Sequence, residues 1–304
     1  MGKGVWQVAG ACSFALLGGG VAGAQVFRAG IDLVSLGVTV VDRKGALVAN
    51  LAPEDFAVYE DGERQAIEYF TRGDAGVPLH VGLLFDTSGS MEEDIALSRT
   101  AAVGFLKALP DAEDITLVEF DTEVRVSRFS PRDFARLVER IRGRTPHGFT
   151  ALYDALGTYL AGASEVDGRK VLVLYTDGGD TRSAMSWSDT LTLLKASDVT
   201  IYAVGFLRHH TPASALAQRR RLEEMAAATG GRALFPRSAR DLDEVYGDVL
   251  AELRAQYTLG YLSANERTDG RWRAVELRLT RADLKGARVR SRPGYFARFL
   301  EPAP

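Results

Sequence analysis

The sequence predicts an α/β protein: a doubly wound parallel sheet, with a small β domain formed from the N- and C-terminal segments. Three observations point there. From about residue 79 to residue 255, short apolar runs alternate with stretches of helical spacing, the pattern of strands and crossover helices. Before about Phe70 and after about Tyr257, apolar residues instead recur with period two, as in half-buried strands. Short polar side chains gather where the apolar runs end, at the carboxyl edge where open α/β sheets place ligands.

The amino terminus comes first. Lys3 gives a positive start, Val5 to Leu17 is mostly apolar and uncharged, and Gly18 to Ala24 is rich in small residues. Ala22-x-Ala24 fits a signal-peptidase site before Gln25, so residues 1–24 read as a signal peptide and the protein as periplasmic or extracellular. The alternative is an uncleaved anchor. The apolar stretch falls short of the ~20 residues of a spanning helix, and glycines dilute its far end, so no membrane span is expected after cleavage. The single cysteine, Cys12, lies inside this segment, and the mature chain is expected to carry neither thiol nor disulfide. Ala9-Gly10-Ala11-Cys12 faintly resembles a lipoprotein box, with too little apolar sequence before it. The 46% hydrophobic and 25% charged composition is ordinary for a globular protein. A net charge of −3 offers no general attraction to nucleic acid or anionic lipid, and no nucleic acid is expected as a partner.

Residues 25–75 read as a β segment. Val34, Leu36, Val38 and Val40 share one face, Asp42 to Gly45 is a turn, and Phe56 to Glu60 runs into the hairpin signal Asp61-Gly62. Ala66 to Phe70 continues it, and Gly73 to Pro78 is a linker. Residues 76–255 follow as the α/β domain. Strands are expected at Leu79–Phe85, Ile115–Phe120, Val171–Thr176, Val199–Phe206 and Arg232–Phe235, with Glu123–Phe129 as an antiparallel edge. Helices are expected from Ile95 to Leu106, Pro131 to Ile141, Ala151 to Ala163, Leu191 to Ala196, Ala213 to Thr229 and Ala239 to Ala255. Residues 256–304 return to period two: Tyr257, Leu259 and Tyr261 alternate, Asp269-Gly270 turns, and Val275, Leu277 and Leu279 alternate again. Alone, either end leaves an apolar face uncovered and open edges, so the two are expected to pack together.

One loop stands out. Asp86-Thr87-Ser88-Gly89-Ser90-Met91 links the first strand of the α/β domain to its first helix. Asp86, Ser88 and Ser90 alternate, bringing a carboxylate and two hydroxyls to one side of a loop that Gly89 lets turn. Hard oxygens of this kind suit a hard divalent cation; a loop with a helix cap explains the same residues on backbone grounds. Two further segments matter. Thr150 sits at the start of a helix in Gly148-Phe149-Thr150-Ala151-Leu152, and Asp177 ends the strand of Val171-Leu172-Val173-Leu174-Tyr175-Thr176-Asp177-Gly178.

Together these five residues resemble the metal-ion-dependent adhesion site of the von Willebrand factor type A family, with Asp86, Ser88 and Ser90 as its Asp-x-Ser-x-Ser, Thr150 as its separate threonine and Asp177 as its separate aspartate. Val41 to Gly45, Pro53 to Phe56, Glu60 to Gly62 and Arg290 to Tyr295 resemble the end segments of the bacterial secreted "VWFA-related" branch. The resemblance implies a Rossmann-like domain and an exported protein-binding module of adhesion type. It implies a magnesium ion, with manganese or calcium as substitutes, held by Ser88 and Ser90, joined by Thr150, with Asp86 and Asp177 acting through water. The partner would then be a protein whose Asp or Glu carboxylate completes the metal shell. The alternative is a structural or scaffolding envelope protein in which the metal only steadies the loops.

No catalysis is expected. His147 is the only candidate base near the site, and no Gly-x-Ser-x-Gly elbow or His-Glu-x-x-His occurs. His209-His210 reads as a solvated loop, Arg219 to Arg221 as an exposed helix face, and Asp180 to Ser183 as a polar turn or part of the partner surface. Asp121 either adds negative potential near the site or belongs to the chemistry of a hairpin. The export reading is checked by mass spectrometry: the mature chain should begin at Gln25, and an intact amino terminus retained in membranes would contradict it.

Overall fold

The computed structural model describes residues 33–73, 76–109 and 112–300; the expected signal peptide and Cys12 lie outside the described residues. The chain enters on β1 (Leu33–Val41), where Val34, Leu36, Val38 and Val40 are all buried. β2 (Phe56–Glu60) and β3 (Glu63–Gln65) form a hairpin over Asp61 and Gly62. Both turn residues have positive φ, 47° and 88°, as a two-residue turn matched to strand twist requires. β4 (Tyr69–Arg72) follows. It is no continuation of the hairpin: the chain leaves that sheet after Gln65, and β4 joins another.

The α/β part then alternates. β5 (Leu79–Asp86) leads to α1 (Ile95–Ala108), and β6 (Asp114–Phe120) turns back as β7 (Val124–Phe129). α2 (Phe134–Gly143) and α3 (Leu152–Ala163) precede β8 (Arg169–Thr176). α4 (Trp187–Ala196), β9 (Thr200–Gly205), α5 (Pro212–Ala228), β10 (Arg232–Leu234) and α6 (Ala239–Ala255) complete it. The sheet order is β10-β9-β8-β5-β6-β7, parallel except for β7. Every residue of β8 is buried, since α1, α2 and α6 cover one face and α3, α4 and α5 the other. α4 starts at Trp187, ahead of the expected Leu191, because Ser186 caps it and Asp189 bonds back to Ser186. Its first turn carries a single apolar residue, Trp187, set between polar ones.

The chain closes with β11 (Tyr257–Leu262), β12 (Trp272–Leu279), β13 (Arg288–Arg290) and β14 (Gly294–Phe296). These interleave with the amino-terminal strands in two sheets, β13-β1-β11-β4 and β14-β12-β2-β3. Leu36, Val38, Phe56, Val58, Leu259 and Val275 share the core between them. One carboxylate, Glu60, is buried there, and three hydroxyls satisfy it: Tyr261 at 2.8 Å, Ser263 at 2.6 Å and Tyr295 at 2.9 Å. Arg169, buried at the start of β8, donates to the Gly73 and Leu253 carbonyls at 2.7 Å each and to Gln256 Oε1 at 3.1 Å. It ties the central sheet to the points where the chain enters and leaves the β segments. Among the described residues no helix is long and apolar enough to cross a membrane.

Leu36 is fully buried in the sandwich core. Leu36→Ala is expected to cost about 2–5 kcal/mol of stability, read from urea unfolding of the full chain.

Candidate metal centre

The parallel register sets the site. β5 and β8 pair Phe85 with Tyr175, so Asp86 and Thr176 end neighbouring strands at the carboxyl edge and Asp177 follows one residue on. The Thr176 hydroxyl donates to Asp86 Oδ2 at 2.5 Å, and the Ser88 amide donates to Asp86 Oδ1 at 2.9 Å. A single 3-10 turn, Gly89–Met91, follows Ser88 and brings the Ser88 and Ser90 hydroxyls 3.1 Å apart. Asp86 and Ser88 are fully buried, and Ser90 stands exposed at the rim.

Asp177 is held by the Gly179 amide, which donates to its Oδ1 at 2.8 Å. Its Oδ2 is buried and takes part in no hydrogen bond; the His210 Nε2 lies 3.4 Å away. Thr150 is buried and joined to the loop after β8: its amide donates to Thr181 Oγ1 at 3.0 Å, and its carbonyl accepts from the Thr181 and Arg182 amides at 2.9 and 3.0 Å. Backbone bonds brace the three loops: Thr87 N to Phe120 O at 2.8 Å, His147 N to Thr87 O at 3.0 Å, Gly89 N to Gly148 O at 3.2 Å and Ala151 N to Asp121 O at 2.9 Å. Gly148 makes this possible. Its φ is +73°, and a Cβ there would overlap Thr122 Oγ1, the atom that accepts the Phe149 amide at 3.0 Å.

The electrostatics favour a cation. Burial, and then the neighbouring Asp177 charge, push the Asp86 carboxyl up to about 7, against the hydrogen bonds from Ser88 and Thr176. A divalent ion would relieve both effects. The donor set fits one: adjacent ligands of an octahedron with bonds of 2.0–2.1 Å stand about 3 Å apart, close to the spacing of the two serine hydroxyls. Among the described residues no group of three or more His, Cys, Asp or Glu is arranged to hold a metal. This centre is hydroxyl-rich instead, two carboxylates with Ser88, Ser90 and Thr150, and so suits a hard ion that keeps part of its water.

Neighbouring features resolve as well. Asp121 is buried and neutralised: burial alone would raise its carboxyl, but the Arg125 hydrogen bond at 2.7 Å and the Glu123 amide bring it below the usual range. Asp180 and Ser183 cap α3, accepting from the Tyr153 amide at 3.3 and 3.0 Å. Arg221 donates to the Tyr153 hydroxyl at 2.5 Å and Arg219 lies over the Phe235 ring, so that helix face is used on the fold rather than simply exposed.

His209-His210 departs from the expected solvated loop. His210 reaches Asp177, while His209 faces Glu93 and Asp94. The histidine pair follows β9, whose carboxyl end shares the edge with β5 and β8, and strand order rather than local sequence places it there. Thr176 is a further residue of the site that the five-residue motif does not include; its position directly before Asp177 is the signal that marks it.

A family model described as "von Willebrand factor type A domain" matches residues 80–248. Among solved structures, the chain is similar to the pilus adhesin SpaC from Lactobacillus rhamnosus GG in its open conformation, at 12% identity and a TM-score of 0.50, covering 80% of this chain and 48% of that one. It thus spans about half the length of that adhesin. Also similar are a von Willebrand factor type A structure from Catenulispora acidiphila, at 14% identity and a TM-score of 0.48, covering 90% of this chain and 76% of that one. The vWF domain of the type V pili tip protein Mfa5 from Porphyromonas gingivalis follows at 15% identity and a TM-score of 0.46, covering 58% and 96%. These likenesses concern the fold. No curated protein sequence matches the chain.

Gly148→Ala is expected to destabilise the protein by about 1–3 kcal/mol, through a strained left-handed residue and the overlap with Thr122. Thermal unfolding measures it.

Proposed function

We propose, from the premise that this chain belongs to the von Willebrand factor type A domain family, that it is an exported binding module whose Asp86–Asp177 edge takes a divalent cation and captures an acidic residue of a protein partner. The observation that carries this reading is the buried Asp177 Oδ2 without a hydrogen bond, beside a second buried carboxylate and a pair of hydroxyls 3.1 Å apart. A magnesium ion, or manganese or calcium in its place, would be held by Ser88, Ser90 and Thr150, with Asp86 and Asp177 completing the charge, and would supply an electrophilic position for a carboxylate from outside.

The chain's own residues do the rest. Thr176 and the Ser88 amide fix the Asp86 carboxylate, so its oxygens cannot turn away from the serines. The Gly179 amide fixes Asp177 in the same way. The Gly89–Gly148 backbone bond holds the serine loop against the segment that carries Thr150. Ser90, exposed, and Phe149, 62% exposed, give the edge an open rim on which a partner can seat.

A binding role rather than catalysis is supported by where the histidines point. His147 directs Nδ1 to the Thr145 carbonyl at 3.1 Å and Nε2 towards Asp121 at 3.8 Å, and His210 faces Asp177. No described hydrogen bond joins a histidine to Ser88 or Ser90, which a serine nucleophile would use.

Calorimetry tests the proposal. Magnesium or manganese should bind the full chain, and Ser88→Ala with Ser90→Ala should abolish that binding while thermal unfolding without metal stays within about 1 kcal/mol. Unchanged metal affinity in the double variant would overturn the site. Metal binding with no chelator-sensitive capture of any carboxylate-bearing protein from envelope extract would favour a purely structural ion.

A further inference from the structure

Among the described residues, β7 forms an outer edge of the central sheet. It pairs there with β6 and with no other described strand. Its register is continuous from Ile115–Phe129 to Phe120–Val124, and the Asp121 amide bonds the Glu123 carbonyl at 3.1 Å. That bond makes Phe120–Val124 a pair of the wider, non-hydrogen-bonded kind. By the alternation of an antiparallel ladder, Arg125, Ser127 and Phe129 bond to β6, whereas Val124, Val126 and Arg128 turn their amides and carbonyls outward. Val126 is 51% exposed. An unprotected edge of this kind is a template for another strand.

Its charge is distinctive. Between residues 124 and 144 the sequence holds seven arginines against two acidic residues, in a chain of net charge −3. Beside β7, against α2, runs an open groove of about 600 Å³ lined by Arg128, Arg136, Arg140 and Arg144. Buried Glu119 pins two of them, Arg140 at 2.5 Å and Arg144 at 3.2 Å. Arg128 and Arg136 are exposed.

Guarding the edge against aggregation explains arginines on the strand itself, Arg125 and Arg128. It does not explain a groove wall of arginines on and just after the adjacent helix, two of them, Arg140 and Arg144, fixed from behind by a carboxylate.

We infer that β7 accepts an extended acidic segment of a partner protein as an added strand, its main chain pairing with Val124, Val126 and Arg128 and its carboxylates lying along Arg128 and Arg136. Main-chain bonds then supply the docking mode and the arginines the selection. This contact needs no metal, so it stands or falls apart from the Asp86–Asp177 edge.

Fluorescence anisotropy of the full chain with a short labelled peptide of alternating glutamate and valine tests it. Binding should weaken as salt rises. Arg128→Gln with Arg136→Gln should weaken it at least about tenfold, a change of roughly 1.4 kcal/mol.

Val126→Pro is the sharper variant. It removes an outward amide but no bond to β6, as an edge strand tolerates, and should weaken binding by a similar factor with the thermal unfolding midpoint little changed. Should that variant fail to fold, a peptide of the same composition interrupted by prolines serves the same purpose, and it should bind at least about tenfold more weakly than the alternating one. Chelator, and Ser88→Ala with Ser90→Ala, should leave the affinity unchanged.

The inference is overturned by no binding, which would leave the arginines as edge guards, or by chelator-sensitive binding. It is equally overturned if the proline-interrupted peptide or heparin binds as tightly, since that would be plain polyanion attraction.

Discussion

Two carboxylates buried at the ends of neighbouring parallel strands are the constraint on which this structure depends. Asp86 and Asp177 raise each other's energy by proximity and by loss of water, and the Asp86 carboxyl shows it by standing near 7. The strands cannot splay to relieve this, because helices cover both faces of β5 and β8. Local donors answer it instead: the Thr176 hydroxyl and the Ser88 and Gly179 amides. Every loop around the site serves to hold those donors still, and the left-handed Gly148 exists to let two of the loops meet.

The β segments join the central sheet at its other end. Gly73 and Gln256, which Arg169 ties to the start of β8, mark where the chain passes between the two. The sandwich is therefore attached at the amino ends of β5 and β8 and leaves their carboxyl edge uncovered. Glu60 belongs to a different physical regime from Asp86: three hydroxyls satisfy it inside an apolar core, and it makes no demand for a cation. Burial of a carboxylate is thus no signature of function by itself; what sets Asp177 apart is a buried oxygen without a hydrogen bond beside a second buried carboxylate.

Much of this was legible in the sequence because it was local. The apolar runs of β5 and β8 need only their own residues to be recognised, and Asp86, Ser88 and Ser90 lie within five positions of one another. The pairing of the two ends could also be read, since Val34, Leu36 and Val38 had no other face to cover them. What stayed hidden depends on three-dimensional neighbours. Thr176 and His210 gain their places from strand order, and Glu119 its arginines from the way α2 lies on β6. Whether a chain stays in one sheet or crosses to another, as it does between Gln65 and Tyr69, leaves no period in the sequence at all. The start of α4 was masked for the opposite reason, a polar cap that looks like loop.

The interleaving of the ends has a consequence for how the molecule comes into being. The Leu51 amide bonds the Tyr257 hydroxyl across 206 residues of chain, and β1 lies between β11 and β13. β1 therefore has no partner strand until β11 and β13 have been made. Closing so long a loop is slow and comes late. The sandwich can close only after the whole α/β part between its strands has been made, so the central sheet exists before the core that flanks it.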